Sequence, residues 1–299
     1  MSLPSARAYQ RQQERSPSFH DRAAGLRALA AAIRAHLRPA PLDVLALGTG
    51  DGAHEVRLVQ HLLEAHTAPL SLCLQDLSEP LLSWAYQRAA ERLLPHARLE
   101  LWALLADLEE LSAHADLLSV SGRQRLVLLL GGTLGELTDA LRFVRYGVAW
   151  CEPGDLLVLD VPLAVEGSEE EIWTQQGEAA QRALDAAREW LTAGIAPHTL
   201  GVPLEWSLHL EHPECLPARY AWCALATVGT DPRPCEIEAY RRRHYDAAEL
   251  AASLDRLGWQ LLVRQRYGSP AVGEMHLYRR RAPSLPAGRR RASRPSRAP

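Results

Sequence analysis

Three glycines and two carboxylates are the residues of this chain whose types and spacing first suggest chemistry. Gly48, Gly50 and Gly52 alternate with Thr49 and Asp51 directly after the apolar run Val44 to Leu47. Glycine lets the backbone turn tightly and approach a ligand with no Cβ in the way. Beyond the carboxyl end of a strand is also where open α/β sheets bind ligands. Asp76 follows Gly50 by 26 residues, near the spacing of about 20 at which a strand-end acid accepts hydrogen bonds from ribose hydroxyls. Asp107 closes a third strand-like run, Leu99 to Leu105. There it would accept from an adenine amine, with the Leu108 backbone N–H serving a ring nitrogen. Each feature has a plainer reading: a bare strand-to-helix turn, a turn residue before the Ser78 cap, a helix cap. Three ligand-type features at three consecutive strand ends favour a nucleoside site.

The glycine spacing narrows the nucleoside. A phosphate-binding dinucleotide loop reads G-x-G-x-x-G, whereas this one reads G-x-G-x-G. The tighter form is usual in enzymes that bind S-adenosylmethionine (SAM), a ligand without a pyrophosphate.

These residues need a scaffold, and the hydrophobic pattern supplies one. An alanine-rich helix over 21–37 is stopped by Pro39 and Pro41. Strands are expected at 44–48, 70–75, 99–105, 126–130 and 155–160, with helices between them, including one at 79–94 behind Ser78 and one around 137–149. Five strand–helix alternations predict a parallel, doubly wound sheet. After Pro162 the rhythm breaks into a long polar helix, 166–191, and short strand-like pieces over 197–225. A helix at 246–257 and strands at 259–267 and 273–278 then close the sheet. The expected organisation is a mobile N-terminus 1–20, a nucleoside-binding domain of 21–162 plus 226–280, a capping insertion 163–225 and a disordered Arg/Pro/Ser-rich tail 281–299.

Composition excludes several chemistries. The chain of 299 residues has no lysine, so neither a Schiff-base lysine nor a Walker lysine is possible. Its formal charge is −3, and residues 279–299 carry eight arginines and no acid, leaving a strongly acidic body. Nucleic-acid binding needs a basic face, so no nucleic-acid partner is expected. No apolar run reaches the ~18 residues of a membrane span, and the polar N-terminus does not read as a secretory signal. The five cysteines, at 73, 151, 215, 223 and 235, form no C-x-x-C pair. They read as buried thiols of a cytoplasmic protein. His198, His209 and His212 lack zinc-site partners, so no metal is expected. Trp206 and Trp222 read as packing, and Arg241-Arg242-Arg243 as a solvated surface.

Three longer segments carry a family resemblance: Asp76-Leu77-Ser78 with Leu81-Leu82, then Leu130-Gly131-Gly132-Thr133-Leu134-Gly135-Glu136-Leu137, then Glu152-Pro153-Gly154-Asp155-Leu156-Leu157. In this order they resemble the histidine-specific Nα-methyltransferases of ergothioneine biosynthesis, over roughly 42–162 and more loosely 236–278. The resemblance implies a class I methyltransferase fold: a Rossmann-like α/β sheet of parallel strands plus a C-terminal antiparallel hairpin, with a capping insertion. It implies SAM as cofactor, held by Gly48, Thr49, Gly50, Asp76, Leu77, Asp107, Leu108, Gly131 and Gly132. Gly131 and Glu136 would face a small amine or amino acid, and Glu238 and Tyr240 would join Glu136 as the catalytic set. Three departures bear on the acceptor. Glu136 stands where the family has asparagine, Tyr240 where serine is usual, and of the N-terminal tyrosine-rich segment only Tyr9 remains.

Methyl transfer from a sulfonium is an in-line displacement that depends on alignment, and orientation alone lowers such barriers by ~7–11 kcal/mol. An amine must also lose a proton. A partly desolvated Glu136 could take it, or could attract an ammonium that deprotonates to water; its plainer reading is an exposed acid at a helix N-terminus. Two other functions fit the same residues: SAM-dependent methylation of oxygen or carbon in a specialised metabolite, and SAM binding without catalysis.

Overall fold

The computed structural model describes residues 1–96, 98–118, 122–195, 204–213, 217–228, 235–268 and 273–282. Seven strands form the main sheet: β1 (Leu42–Leu47), β2 (Leu70–Asp76), β3 (Leu99–Leu105), β4 (Gln124–Leu129), β5 (Leu156–Pro162), β9 (Trp259–Tyr267) and β10 (Gly273–Arg280). Their order is β3-β2-β1-β4-β5-β10-β9. The first five are parallel, while β10 runs antiparallel to both β5 and β9. Every residue of β1, β4 and β5 is buried, which explains their unbroken apolar sequences.

Alternation divides these strands between two cores. Val44, Ala46, Leu126, Leu128, Leu156 and Val158 face one layer, where α2 (Pro17–Arg34), α3 (Ala53–Leu63) and α4 (Glu79–Leu93) supply Leu26, Ile33, Val56, Leu62 and Leu82. Leu45, Leu47, Val127, Leu129, Leu157 and Leu159 face the other. That side is covered by a 3₁₀ turn at Leu108–His114, the short helices α5 (Ala115–Leu118) and α6 (Ala140–Arg142), and α9 (Ala247–Arg256). The strand order reverses at β1, which lies between β2 and β4. In open α/β sheets such a reversal marks the ligand crevice; here it falls at the tips of β1 and β4, where Gly48–Gly52 and Leu130–Glu136 meet.

A second, antiparallel sheet of β6 (Leu204–Glu211), β7 (Ala218–Val228) and β8 (Cys235–Tyr245), in that order, forms the cap with α7 (Glu169–Ile172) and α8 (Glu178–Ile195). Leu184, Ala187 and Leu191 of α8 pack on Ala224, Trp206, Leu208 and Tyr240. β8 returns to the main sheet: Tyr245 bridges Leu163, and its hydroxyl donates to the Leu134 carbonyl at 2.9 Å. A Cβ on Gly135 would stand 2.8 Å from the Arg243 carbonyl oxygen, so the cap backbone closes directly on the β4 tip.

The structure differs from the sequence expectations in several places. Residues 1–20, expected as a mobile arm, hold α1 (Leu3–Arg15), a helix with Ser5, Ala6 and Ala8 buried. Its small residues sit against α8, with Ser5 Oγ donating to the Trp190 carbonyl at 2.7 Å. The cap extends through Tyr245 rather than ending at 225, since β8 pairs along β7. The helix expected at 137–149 shrinks to α6 and a widened turn at Phe143–Gly147, and the one at 166–191 is interrupted by a similar turn at Trp173–Gly177. Cys73, Cys151 and Cys223 are buried thiols, whereas Cys235 is exposed. The arginine-rich tail from 283 onward, Cys215 and His198 lie outside the described residues. Among the described residues, no helix is long and apolar enough to cross a membrane.

Candidate active site

Backbone hydrogen bonds fasten the tips of β1, β2 and β3 together. The Gly48 N–H donates to Gln75 Oε1 at 3.0 Å and the Thr49 N–H to the Gln75 carbonyl at 3.0 Å. Gln75 Nε2 donates to the Ala106 carbonyl at 2.6 Å. The Gly50 N–H donates to Asp76 Oδ2 at 2.8 Å, and the Ser78 N–H to Asp76 Oδ1 at 2.8 Å. Gly48 and Gly50 have φ of 60° and 53°, the left-handed region that a side chain disfavours. A Cβ on Gly48 would also lie 2.7 Å from Thr133 Cγ2. The glycine loop is thus pressed against the β4 tip.

The predicted cofactor residues fall into two groups. Gly48, Thr49, Gly50, Asp76, Gly131 and Gly132 surround the crevice, and Leu77 is 67% exposed beside it. Burial raises the Asp76 carboxyl above its ordinary value, against the backbone N–H groups of Ser78, Gly50 and Leu77, which lower it. Each Asp76 oxygen keeps a further lone pair. Asp107 stands one strand outward, exposed, with Oδ1 accepting from the Glu109 N–H at 2.8 Å; it caps its own turn, while Leu108 is buried with Leu111 in the core.

Glu136, at the end of the β4 loop, faces the cleft beneath the cap. It keeps solvent exposure, yet the protein packed around it desolvates its carboxyl and pushes it up to about 7, with Arg242 and the Tyr240 hydroxyl acting to lower it and Asp76 to raise it. Tyr240 is pushed up to about 12 by burial and by the Glu136 charge. Tyr9 is raised well above its ordinary value by burial, then by Glu136, Tyr240, Asp51 and Asp76. Tyr9 meets Trp190 edge-on at 5.6 Å, and Trp190 meets Tyr240 edge-on at 6.2 Å. An aromatic wall drawn from α1, α8 and β8 therefore stands beside one carboxylate.

Glu238 does not join this group. Residues two apart on a strand ordinarily share a face, which would put Glu238 with Tyr240. The β7–β8 register shifts between Ala224 and Leu225, where Ala224 pairs Tyr240 and Leu225 pairs Glu238. This bulge turns Glu238 away, and its carboxylate accepts from Arg241 Nε at 2.8 Å, at the exposed surface. Arg241-Arg242-Arg243 is likewise no solvated patch: Arg241 pairs with Glu238 and Glu211, Arg243 is buried and donates to the Leu137 carbonyl, and Arg242 enters the cleft.

Sequence reasoning also gave no site role to Gln75, Tyr9, Trp190, Arg242 or Glu55, and did not show the Arg22–Asp160 pair. Arg22 Nε lies 2.6 Å from Asp160 Oδ2, and Asp160 Oδ1 accepts from the Tyr267 hydroxyl at 2.5 Å. Trp222 packs edge-on against Trp173 at 4.7 Å, and Trp206 lies on α8. His209 Nε2 and Ser207 Oγ are 2.8 Å apart, and His212 Nδ1 lies 3.3 Å from the Arg219 carbonyl oxygen. No group of three His, Cys, Asp or Glu side chains converges to hold a metal among the described residues.

No family model matches the chain, and no curated protein matches it in sequence. Solved structures do. Magnesium protoporphyrin IX methyltransferase from Synechocystis PCC 6803, determined with bound SAH, aligns with a TM-score of 0.51 and 12% identity, over 92% of this chain and 93% of that one. DesVI of Streptomyces venezuelae aligns at 0.48 and 14%, over 94% and 100%. The CcbJ methyltransferase of Streptomyces caelestis aligns at 0.46 and 17%, over 86% and 90%. With the topology above, the first of these likenesses defines the class: the chain has the class I methyltransferase fold, a parallel sheet closed by an antiparallel hairpin.

Proposed function

We propose that this chain is a SAM-dependent methyltransferase that methylates the nitrogen of a small amine or amino acid. The observation that carries the reading is Glu136, a carboxylate held near neutrality at the β4 tip, across the crevice from a glycine loop locked to Asp76. The residues present fit the cofactor. Thr49 Oγ1 is buried in the glycine loop without a hydrogen-bond partner, and such a group ordinarily has one. A Cβ on Gly50 would be in van der Waals contact with the Tyr9 hydroxyl, at 3.4 Å, so α1 stands directly beside the glycine loop. Gly48, Thr49, Gly50 and Asp76 would hold the adenosyl part, and the group when bound supplies an electrophilic methyl.

The chain's own residues do the remaining work. α1, α8 and β8 place Tyr9, Trp190 and Tyr240 over the crevice and exclude water from it. Glu136 carries negative charge above about pH 7. There it either accepts the amine proton directly or draws in the ammonium before it deprotonates, and its near-neutral pKa suits the proton transfer. The resemblance of the Leu130–Leu137 segment to histidine Nα-methyltransferases supports nitrogen as the acceptor atom, and Glu136 in place of asparagine supports an acceptor other than histidine. The test is methyl transfer from labelled SAM to amino acids and amines compared with hydroxylated metabolites. Transfer only to the hydroxylated set would overturn nitrogen as the acceptor.

A further inference from the structure

Arg242 is a half-buried cation without a carboxylate. Its Nε has no hydrogen-bond partner, and among the described residues no carboxylate oxygen lies within 4.0 Å of its guanidinium. Arg22 and Arg125, which are more deeply buried, each meet a carboxylate, at 2.6 and 3.1 Å. The acids near Arg242 are engaged elsewhere: Asp160 by Arg22 and Tyr267, Glu136 by the Tyr240 hydroxyl. Burial lowers the Arg242 pKa, but Tyr240, Tyr267 and Asp160 outweigh that and leave it raised, so the group stays charged.

A guanidinium whose Nε is buried and unpartnered is costly unless something arrives to accept from it. Its position says what could arrive. Arg242 Nη2 lies 3.1 Å from where a Cβ on Gly132 would be, so the fork stands across the β4 tip, the same tip that carries Glu136. A planar fork of N–H donors matches a carboxylate. Cation and anion thus face one cleft, near enough for Arg242 to lower the Glu136 pKa but with no ion pair inside 4.0 Å between them.

We propose that Arg242 determines acceptor specificity by receiving a carboxylate of the substrate whose amine faces Glu136. The acceptor is then a zwitterionic amino acid and not a simple amine. This rests on the methyl-transfer reading above, and one experiment separates the two. The purified full-length protein is given labelled SAM with an equimolar mixture of the twenty α-amino acids, or with the mixture of their α-carboxamides, and SAH binding is measured by calorimetry. The unaltered protein is expected to methylate acids at least about 10-fold faster than amides, as loss of a charge-assisted hydrogen bond implies. Arg242→Met is expected to lower turnover of the acids by about 10- to 100-fold, to lower that of the amides much less so that the acid-to-amide preference collapses, and to keep the SAH affinity; Arg242→Lys recovers part of the preference. Equal turnover of acids and amides by the unaltered protein overturns the proposal with no variant needed. So does turnover of neither mixture by protein that binds SAH. Loss of SAH affinity in Arg242→Met overturns it too, by giving the guanidinium to the cofactor's own carboxylate. Absence of SAH binding by the unaltered protein would remove the methyl-transfer reading itself.

Discussion

The Gln75 side chain and the Gly48 backbone are joined by a hydrogen bond of 3.0 Å that sets the shape of the crevice. Gln75 is 1% exposed, and its amide also donates to the Ala106 carbonyl. One side chain thereby satisfies a donor at the β1 tip and an acceptor at the β3 tip. Substituting Gln75→Leu orphans both backbone groups, at about 1–3 kcal/mol each. Urea denaturation should show this loss, and calorimetry should show weaker SAH binding. An unchanged affinity would mean that the glycine loop holds its form without the link.

On the proposed reading the working form of Glu136 is the carboxylate, and burial pushes its pKa up to about 7, so kcat/KM is expected to rise with pH to a plateau, with a midpoint near 7. Glu136→Gln is expected to remove that limb and lower the plateau by about 100-fold or more. A pH profile of the two proteins checks this. A limb that survives in Glu136→Gln belongs to another group.

Glu238 and Tyr240 lie two residues apart in sequence and should behave oppositely. Glu238 makes a surface pair with Arg241, a type of contact worth about 0–1 kcal/mol. Glu238→Ala should therefore leave kcat/KM nearly unchanged. Tyr240→Phe removes a hydrogen bond that lowers the Glu136 pKa, so the activity limb should move to higher pH. A large loss in Glu238→Ala would return that residue to the site.

Legibility in the sequence followed local pattern and stopped at tertiary register. The strand Trp259–Tyr267 and the helix after Asp246 were readable because apolar spacing and an N-cap announce them. Gly48, Gly50 and Asp76 were readable because a strand-end turn carries its own composition. The bulge at Ala239 has no such signature, and it alone separates Glu238 from Tyr240. Tyr9 and Trp190 come from helices that meet only in the folded chain. α1 itself is polar, and its burial runs through Ser5, Ala6 and Ala8, residues too small to mark a core face. In Arg241-Arg242-Arg243, three like charges hid three different environments.

Glu55, 4% exposed in the first turn of α3, is pushed up to about 8 by burial, from 4.5. Between those values the folded protein holds a proton that the unfolded chain has released, so stability falls as pH rises through this window. Glu55→Gln keeps the shape without the proton. It should flatten the dependence and be more stable than the parent at pH 8 by a few kcal/mol. Urea midpoints at pH 5 and pH 8 measure the difference, and parallel curves for the two proteins would contradict the assignment.

The central claim is that the tips of β1, β2 and β4 hold an adenosyl ligand through the loop that Asp76 fastens. Isothermal calorimetry with SAH tests it most directly, on the unaltered protein and on Asp76→Ala, which removes the acceptor of the Gly50 N–H. The account predicts saturable one-site binding to the first and a loss of about 10-fold or more in the second, as expected for a hydrogen-bonded carboxylate. No heat of binding to the unaltered protein, or equal affinity in the two, would contradict it.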